Sequence, residues 1–325
     1  MRVVLFFSYV YLAHVTTARR SSSRFCIPRM LPSNISLVGT KSELLRSAVI
    51  SSARDRLRLP HADVSFPYNR SCRVLALFGA NGIWWQNVFA SNQAWETETY
   101  FVLERFVSNN TIYVDFGSWI GPTLLFAAQK ARVSIGLEPD PSSFAELSAN
   151  VLLNPEFSFK VILLNACVAG TEMAVDMKGA CGKSMSTVDG TYSETHPLHR
   201  ATASTPTWQA YCITLRFLLE SYSLLPRKHE EIFIKIDAEG AESHIIPGIS
   251  DLILQLKPRI SVYVSMHDVV TRPTREVSMV DSFLDVFQLF TYATTARDFT
   301  LGIRTKSTEV NSTSLCTWCA YILHF

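Results

Sequence analysis

No Gly-x-Gly-x-x-Gly fingerprint occurs among the thirteen glycines of this chain. That absence argues against a dinucleotide-binding turn, whose glycines bring the backbone onto a pyrophosphate. Charge is also thin, at 18% Asp, Glu, Lys and Arg with a formal net charge of +2, and the basic residues are scattered. A nucleic-acid partner is therefore not expected. The seven cysteines are too few for a disulfide scaffold and odd in number, so they leave the compartment undecided. Cys316 and Cys319 have the spacing of half a zinc site, but no second pair accompanies them, so they read as buried thiols of a terminal strand. No internal repeat and no heptad seam is visible.

Acidic residues are missing from the start of the chain: none precedes Glu43. The apolar run from Val3 to Val15 falls short of the roughly 20 residues that cross a bilayer. With Arg2 before it and Thr16, Thr17 and Ala18 after it, the order predicts a signal peptide over residues 1–18, and hence the secretory pathway or the extracellular space. The abundant Arg and Ser also fit a mitochondrial presequence. No further membrane span is expected. Asn34, Asn69, Asn109 and Asn311 each head an Asn-x-Ser/Thr triplet that would accept a glycan on the secretory route.

What the chain does have is apolar material, 48% of its residues, enough to cover both faces of a parallel sheet. Residues 19–70 read as a polar, Ser-rich linker or stem with a weak helical patch at 43–53, and residues 71–325 as the main domain. An aromatic stretch that includes Trp84, Trp85, Trp95 and Tyr100 opens that domain and reads as a cap on the sheet. Strands are predicted at Thr111 to Phe116, Val133 to Leu137, Phe159 to Leu164, Glu231 to Ile236, Arg259 to Val264, Leu289 to Thr294 and Cys316 to Leu323. Helices are predicted at Glu98 to Val107, Pro122 to Ala131, Pro141 to Leu153, Ile213 to Tyr222, Glu242 to Leu256 and Val277 to Phe287. The fold class is α/β: a doubly wound, seven-stranded, mostly parallel sheet. Gly170 to Trp208 is a long Gly-, Ser- and Thr-rich excursion that suits a lid.

Three strand ends carry the chemistry. The first strand runs into Asp115-Phe-Gly-Ser-Trp-Ile-Gly121-Pro122, a turn with glycines for close approach and a proline suited to a first helical position. Its Asp-x-Gly-x-x-x-Gly spacing suits a ligand without phosphate, such as S-adenosylmethionine, whose ammonium a carboxylate can pair with. The second strand ends at Glu138-Pro-Asp140-Pro, where an acid can accept from ribose hydroxyls. The fourth ends in Ile234-Lys-Ile-Asp237-Ala-Glu239-Gly-Ala-Glu242, a carboxylate cluster too dense to be core. Part of it is ordinary helix N-terminal charge, worth about 0.3–1 kcal/mol per acid.

These motifs, with Asn150 after the second and Thr214-Leu215 before the last, resemble the FkbM methyltransferases in the same order, over about residues 95 to 295. The resemblance implies a Rossmann-like class I methyltransferase with S-adenosylmethionine as cofactor. It implies that Asp115, Gly117, Ser118 and Gly121 hold the methionine end, Glu138 the ribose, and Asn165 or Ala166 the adenine edge, with Asp237 facing the methyl group. Ser118-Trp119 departs from the Ala-Asn common in the family, so Trp119 either points into the core or alters the affinity for cofactor. Methyl transfer needs an aligned nucleophile and a base, and Asp237, Glu239 and His267 are the base candidates for O-methylation of a glycan, lipid or small-molecule hydroxyl. A divalent ion on those three groups is the weaker alternative, and no metal is assigned. The rival functions are a catalytically silent binding module on the same fold and an NAD-dependent oxidoreductase.

Overall fold

The computed structural model describes residues 61–75, 80–89, 95–179, 187–188, 207–239, 241–266, 284–310 and 320–325. Two strands, β1 (His61–Phe66) and β2 (Arg70–Leu75), form an antiparallel hairpin. Helices α1 (Ala80–Phe89) and α2 (Thr97–Phe106) follow. The doubly wound part then runs β3 (Thr111–Phe116), α3 (Pro122–Ala128), β4 (Val133–Leu137), α4 (Pro141–Leu152), the short α5 (Pro155–Ser158) and β5 (Val161–Leu164). Beyond an excursion it resumes with α6 (Leu215–Ser221), β10 (Glu231–Ile236), α7 (Glu242–Gly248), α8 (Ser250–Leu256), β11 (Ile260–Ser265), β12 (Tyr292–Thr295), α9 (Ala296–Thr300) and β13 (Ala320–His324).

The main sheet has seven strands in the order β12-β13-β11-β10-β3-β4-β5. The β11-β10-β3-β4-β5 pairs are parallel, and β13 is antiparallel to both its neighbours. All seven strands lie where the sequence predicts them, displaced by a few residues at their ends. Strand order reverses at β3 and β10, the switch point at which open α/β sheets leave a crevice for ligands.

Alternation along each strand sorts the core into two layers. Ile112, Val114, Ile232, Ile234 and Val262 pack with α6, α7 and α8 on one face. Tyr113, Phe233 and Tyr263 pack on the other with Leu124 and Phe126 of α3, Val102 and Leu103 of α2, and Trp85 of α1. The aromatic stretch is therefore a cap on this second layer. Trp84, Trp85, Phe89 and Tyr100 form a chain of mostly edge-to-face ring contacts that reaches Phe126.

Three stretches differ from the sequence-based expectation. The hairpin starts at His61, within the stretch read as linker, because Val64 and Phe66 alternate with exposed residues and bury one face of β1. Its partner β2 is held by the side-chain amides of Asn150, in α4, and Asn154, which precedes α5. Asn150 Oδ1 accepts from Leu75 N at 2.8 Å and Asn154 Oδ1 from Arg73 N at 2.8 Å, while Asn154 Nδ2 donates to Arg73 O at 2.8 Å. Side chains one helical turn apart thus satisfy an edge that a strand would otherwise pair. The single helix expected over Glu242 to Leu256 is two, α7 and α8, with Pro247 inside the first. The described part of the excursion belongs to a second sheet, β6-β9-β7-β8: β7 (Met173–Lys178) and β8 (Thr187–Val188) lie within it, while β6 (Cys167–Val168) and β9 (Thr207–Ile213) border it, and residues 180–186 and 189–206, on which the lid reading mainly falls, lie outside the described residues.

Most of the helix expected over Val277 to Phe287 lies outside the described residues, as do Cys316 and Cys319. Among the described residues no helix is long and apolar enough to cross a membrane.

Candidate active site

Backbone contacts between the ends of β3, β4 and β10 set the site. Gly117 N and Ser118 N both donate to Leu137 O at 3.1 Å, and Asp237 N donates to Phe116 O at 3.0 Å. Gly117 has φ +78°, and a Cβ there would stand 1.9 Å from Asp237 O. Only glycine fits where the two strand ends meet.

Beyond that turn, Trp119 takes a left-handed conformation with φ 48°. Its N–H donates to Glu138 Oε2 at 2.8 Å, and Asp140 N donates to Glu138 Oε1 at 2.8 Å. Both carboxyl oxygens of Glu138 thus accept from main chain. Burial nevertheless dominates, and with Asp140 and Asp115 nearby it pushes the Glu138 carboxyl up to about 8. Asn165 Nδ2 fixes the same residue from behind by donating to Glu138 O at 2.8 Å.

A cavity of about 400 Å³ opens beside these groups, a size in the range of small-ligand sites. Gly117, Trp119, Glu138, Ala166, Asp237 and Glu239 line one side. The second sheet supplies the other, through Met173, Val175 and Met177 of β7 and the Cys167–Cys212 disulfide that ties β6 to β9. Those β7 residues alternate, so they share a face. Met173 is exposed and Met177 buried, so the apolar strip runs inward from the surface. The second sheet is fastened twice more: Trp208 Nε1 donates to Pro139 O at 3.1 Å, and Gly170 packs so closely on Gly248 of α7 that a Cβ on Gly248 would stand 2.4 Å from Gly170 Cα.

Of the residues predicted from sequence, Gly117, Glu138, Ala166, Asp237 and Glu239 come together around this cavity. Asp115, Ser118, Gly121 and Asn165 stand behind its wall and shape it. Asp115 is wholly buried, with Oδ2 accepting from Thr123 Oγ1 at 2.7 Å. Ser118 Oγ donates to Asp115 O at 2.9 Å, and Gly121 precedes α3 with φ 101°. Glu242, read partly as helix charge, is buried and accepts from Ala238 N at 2.9 Å, closing the turn after β10. His267 lies outside the described residues. The alternatives left open for Trp119 resolve in part. The residue is half-buried, lines the cavity, and meets the Trp84 ring edge-on at 4.7 Å.

Sequence reading missed Lys235. It is 2% exposed, with Nζ 3.0 Å from Asp237 Oδ2 and 3.6 Å from Asp115 Oδ1. Burial works against its charge, but the Asp237 and Asp115 carboxylates outweigh this and hold the ammonium above the usual lysine range. The signal was a lysine inside the otherwise apolar run Ile232 to Ile236, since a strand covered on both faces tolerates a charge only with a partner.

Comparison with known families bears on this geometry. The model of the methyltransferase FkbM domain matches residues 109–299, more than half of the chain. The chain belongs to the FkbM methyltransferase family. The matched region spans β3 to α9, and so includes all three acidic strand ends and the second sheet. Two solved structures show a distant likeness. The methyltransferase FkbM from Methylobacillus flagellatus KT is 15% identical, with a TM-score of 0.39, over 67% of this chain and 44% of that one. This chain thus spans less than half the length of that protein. A precorrin-6y C5,15-methyltransferase from Geobacter metallireducens GS-15 is 12% identical, with a TM-score of 0.34, over 72% of this chain and 91% of that one. No curated protein shows a significant sequence match.

Proposed function

We propose that this FkbM-family chain is an S-adenosylmethionine-dependent methyltransferase that methylates a hydroxyl of a glycan, lipid or small molecule. The observation that carries the reading is the meeting, in one cavity, of a doubly hydrogen-bonded carboxyl at the end of β4, a carboxylate at the end of β10 and an apolar wall from the second sheet. These groups fit the cofactor part by part. Glu138 can accept from ribose hydroxyls, the apolar wall beside Ala166 suits an adenine ring, and Asp237 suits a positive centre. Gly117 lines the cavity and can present its main chain to the methionine end.

When bound, S-adenosylmethionine supplies an electrophilic methyl group on a sulfonium. The protein's share is to orient the acceptor, exclude water and take up the hydroxyl proton. Asp237 and Glu239 line the cavity, so either can receive that proton as the acceptor oxygen bonds to carbon. His267 remains a third base in this proposal.

The reading includes entry into the secretory pathway. The leader supports it, and so does the Cys167–Cys212 disulfide, since disulfides persist in oxidising compartments. Asn69, at the tip of the β1–β2 hairpin, and Asn109, in the turn before β3, are both exposed and open to glycans. Asn34 and Asn311 lie outside the described residues.

Calorimetry of the chain from Arg19 onward with S-adenosylhomocysteine, and NAD as control, tests the cofactor. Micromolar binding that a Glu138→Leu variant loses is the expected result. A folded chain that binds NAD alone, or neither ligand, would overturn the reading.

A further inference from the structure

The two ends of the second sheet are fastened to the main sheet in different ways. Strands β7 and β9 pair in antiparallel register, with Met173 opposite Cys212, Val175 opposite Ala210 and Met177 opposite Trp208. Cys212 also pairs with Cys167 of β6, so the row Met173–Cys212–Cys167 is tied by the disulfide just after the chain leaves β5. Gly170, two residues beyond β6, packs on Gly248 at this same end. The row Met177–Trp208 lies four residues away along both strands. It is held to the end of β4 by the hydrogen bond from Trp208 Nε1 to Pro139 O at 3.1 Å.

The acceptor of that bond belongs to a peptide group with a second duty. Pro139 O and Asp140 N share one plane, and Asp140 N donates to Glu138 Oε1 at 2.8 Å. In a trans peptide the carbonyl and the N–H point in opposite directions. One plane thus turns its oxygen to the second sheet and its hydrogen to the Glu138 carboxyl. Asp140 steadies the plane from the other side by capping α4, its Oδ1 accepting from Ser142 N at 2.7 Å. Rotation of the plane would displace both hydrogen bonds together, and bonds made by the two ends of one amide polarise each other in the same sense. Met177 lines the cavity and Trp208 stands outside it, so the indole acts on a ligand through this peptide and through the strand it pairs with.

We propose that Trp208 is a positioning residue that latches the second sheet over the cavity and, through the Pro139–Asp140 peptide, sets the Glu138 carboxyl toward the cofactor ribose. Closing the cover and ordering the ribose acceptor are then one event. The ribose part of the inference rests on the methyltransferase reading.

Trp208→Phe tests it, because the variant keeps an aromatic ring and removes the donor. Two quantities are measured: the S-adenosylhomocysteine dissociation constant by calorimetry, and amide hydrogen exchange of the ligand-free chain. We expect the affinity to fall about two- to tenfold, the scale of one neutral hydrogen bond. Exchange should quicken at 140–142, 176–178 and 207–209, while 171–174 and 211–213, at the disulfide end, keep the wild-type rate. A general loss of stability quickens both ends alike. The proposal is overturned if the affinity is unchanged, if exchange around Asp140 is unchanged, or if both ends of the second sheet loosen together. A wild-type chain that binds no S-adenosylhomocysteine overturns the methyltransferase reading and the ribose role with it, whereas the exchange pattern still decides whether Trp208 is the latch.

Discussion

Glu138 allows a pH experiment whose sign follows from its burial. Its carboxyl is raised from 4.5 to about 8, because removal from water outweighs the two main-chain N–H groups that favour the anion. Below pH 4.5 the folded and unfolded chains both hold this proton, and its stabilising effect is fully present. Between 4.5 and 8 the unfolded chain ionises while the fold keeps the proton, so stability falls as pH rises. Above about 8 both states are ionised and the decline stops. At about 1.36 kcal/mol for each tenfold change in proton affinity, this group alone lowers the stability by up to about 5 kcal/mol across that window. Urea unfolding followed by tryptophan fluorescence at pH 5, 6, 7 and 8 measures it, with Glu138→Gln as the comparison. The glutamine loses one of the two accepted hydrogen bonds, a fixed cost that does not change with pH. What counts is the difference between the variants, which should move in favour of glutamine by several kcal/mol from pH 5 to pH 8. Parallel curves would refute the argument. A corollary concerns the proposed ligand: if ribose hydroxyls donate to the ionised carboxylate, S-adenosylhomocysteine binding below pH 8 releases a proton. Heats measured in two buffers of different ionisation enthalpy would reveal it.

Two further perturbations test the frame around the site. Removing the Cys167–Cys212 bond by a double alanine substitution opens a 45-residue loop, and chain entropy puts the loss at about 4 kcal/mol. A lower urea midpoint together with weaker S-adenosylhomocysteine binding is expected, because both cysteine residues line the cavity. Asn150→Leu strands Leu75 N and Ile120 O, which Asn150 serves at 2.8 and 2.9 Å, and should cost about 2–5 kcal/mol. An unchanged unfolding midpoint would show that β2 does not depend on this amide.

The main sheet was legible because its central strands, buried on both faces, read as unbroken apolar runs that stop at an acid or a glycine. Ile232 to Ile236 followed by Asp237 is the clearest case. The site's outer residues were legible for the same reason, since Glu138 and Asp237 sit where such runs end. The second sheet was not. Its inner face rests on three side chains, Met173, Val175 and Met177, spaced by Ala174 and Asp176 within a Gly- and Ser-rich stretch. Its partner strand β9 is distant in sequence, the paired positions running from Lys178 with Thr207 to Met173 with Cys212. The Cys167–Cys212 pair was hidden likewise, because a count of seven cysteines carries no information about which strands lie side by side. Lys235 was quoted within a motif but given no role, since lysine ordinarily reads as surface and its two partners belong to different elements. The division at Asp115 was equally invisible. Spacing can assign a carboxylate to a cofactor turn, but not say whether it faces the ligand or the ammonium behind it.

The Glu138 contact at the cofactor turn is made by the main-chain N–H of Trp119, a group that every amino acid except proline can offer. The indole is committed elsewhere, to the ring of Trp84 in the cap. A substitution that looks disruptive when letters are compared is therefore silent to the carboxyl it serves, while it joins the cap to the pocket floor. In such turns the hydrogen-bonding atom and the varying atom belong to the same residue but answer to different constraints. Because the same indole lines the cavity, divergence at this position alters the cap and the pocket wall together while the hydrogen bond to Glu138 can persist.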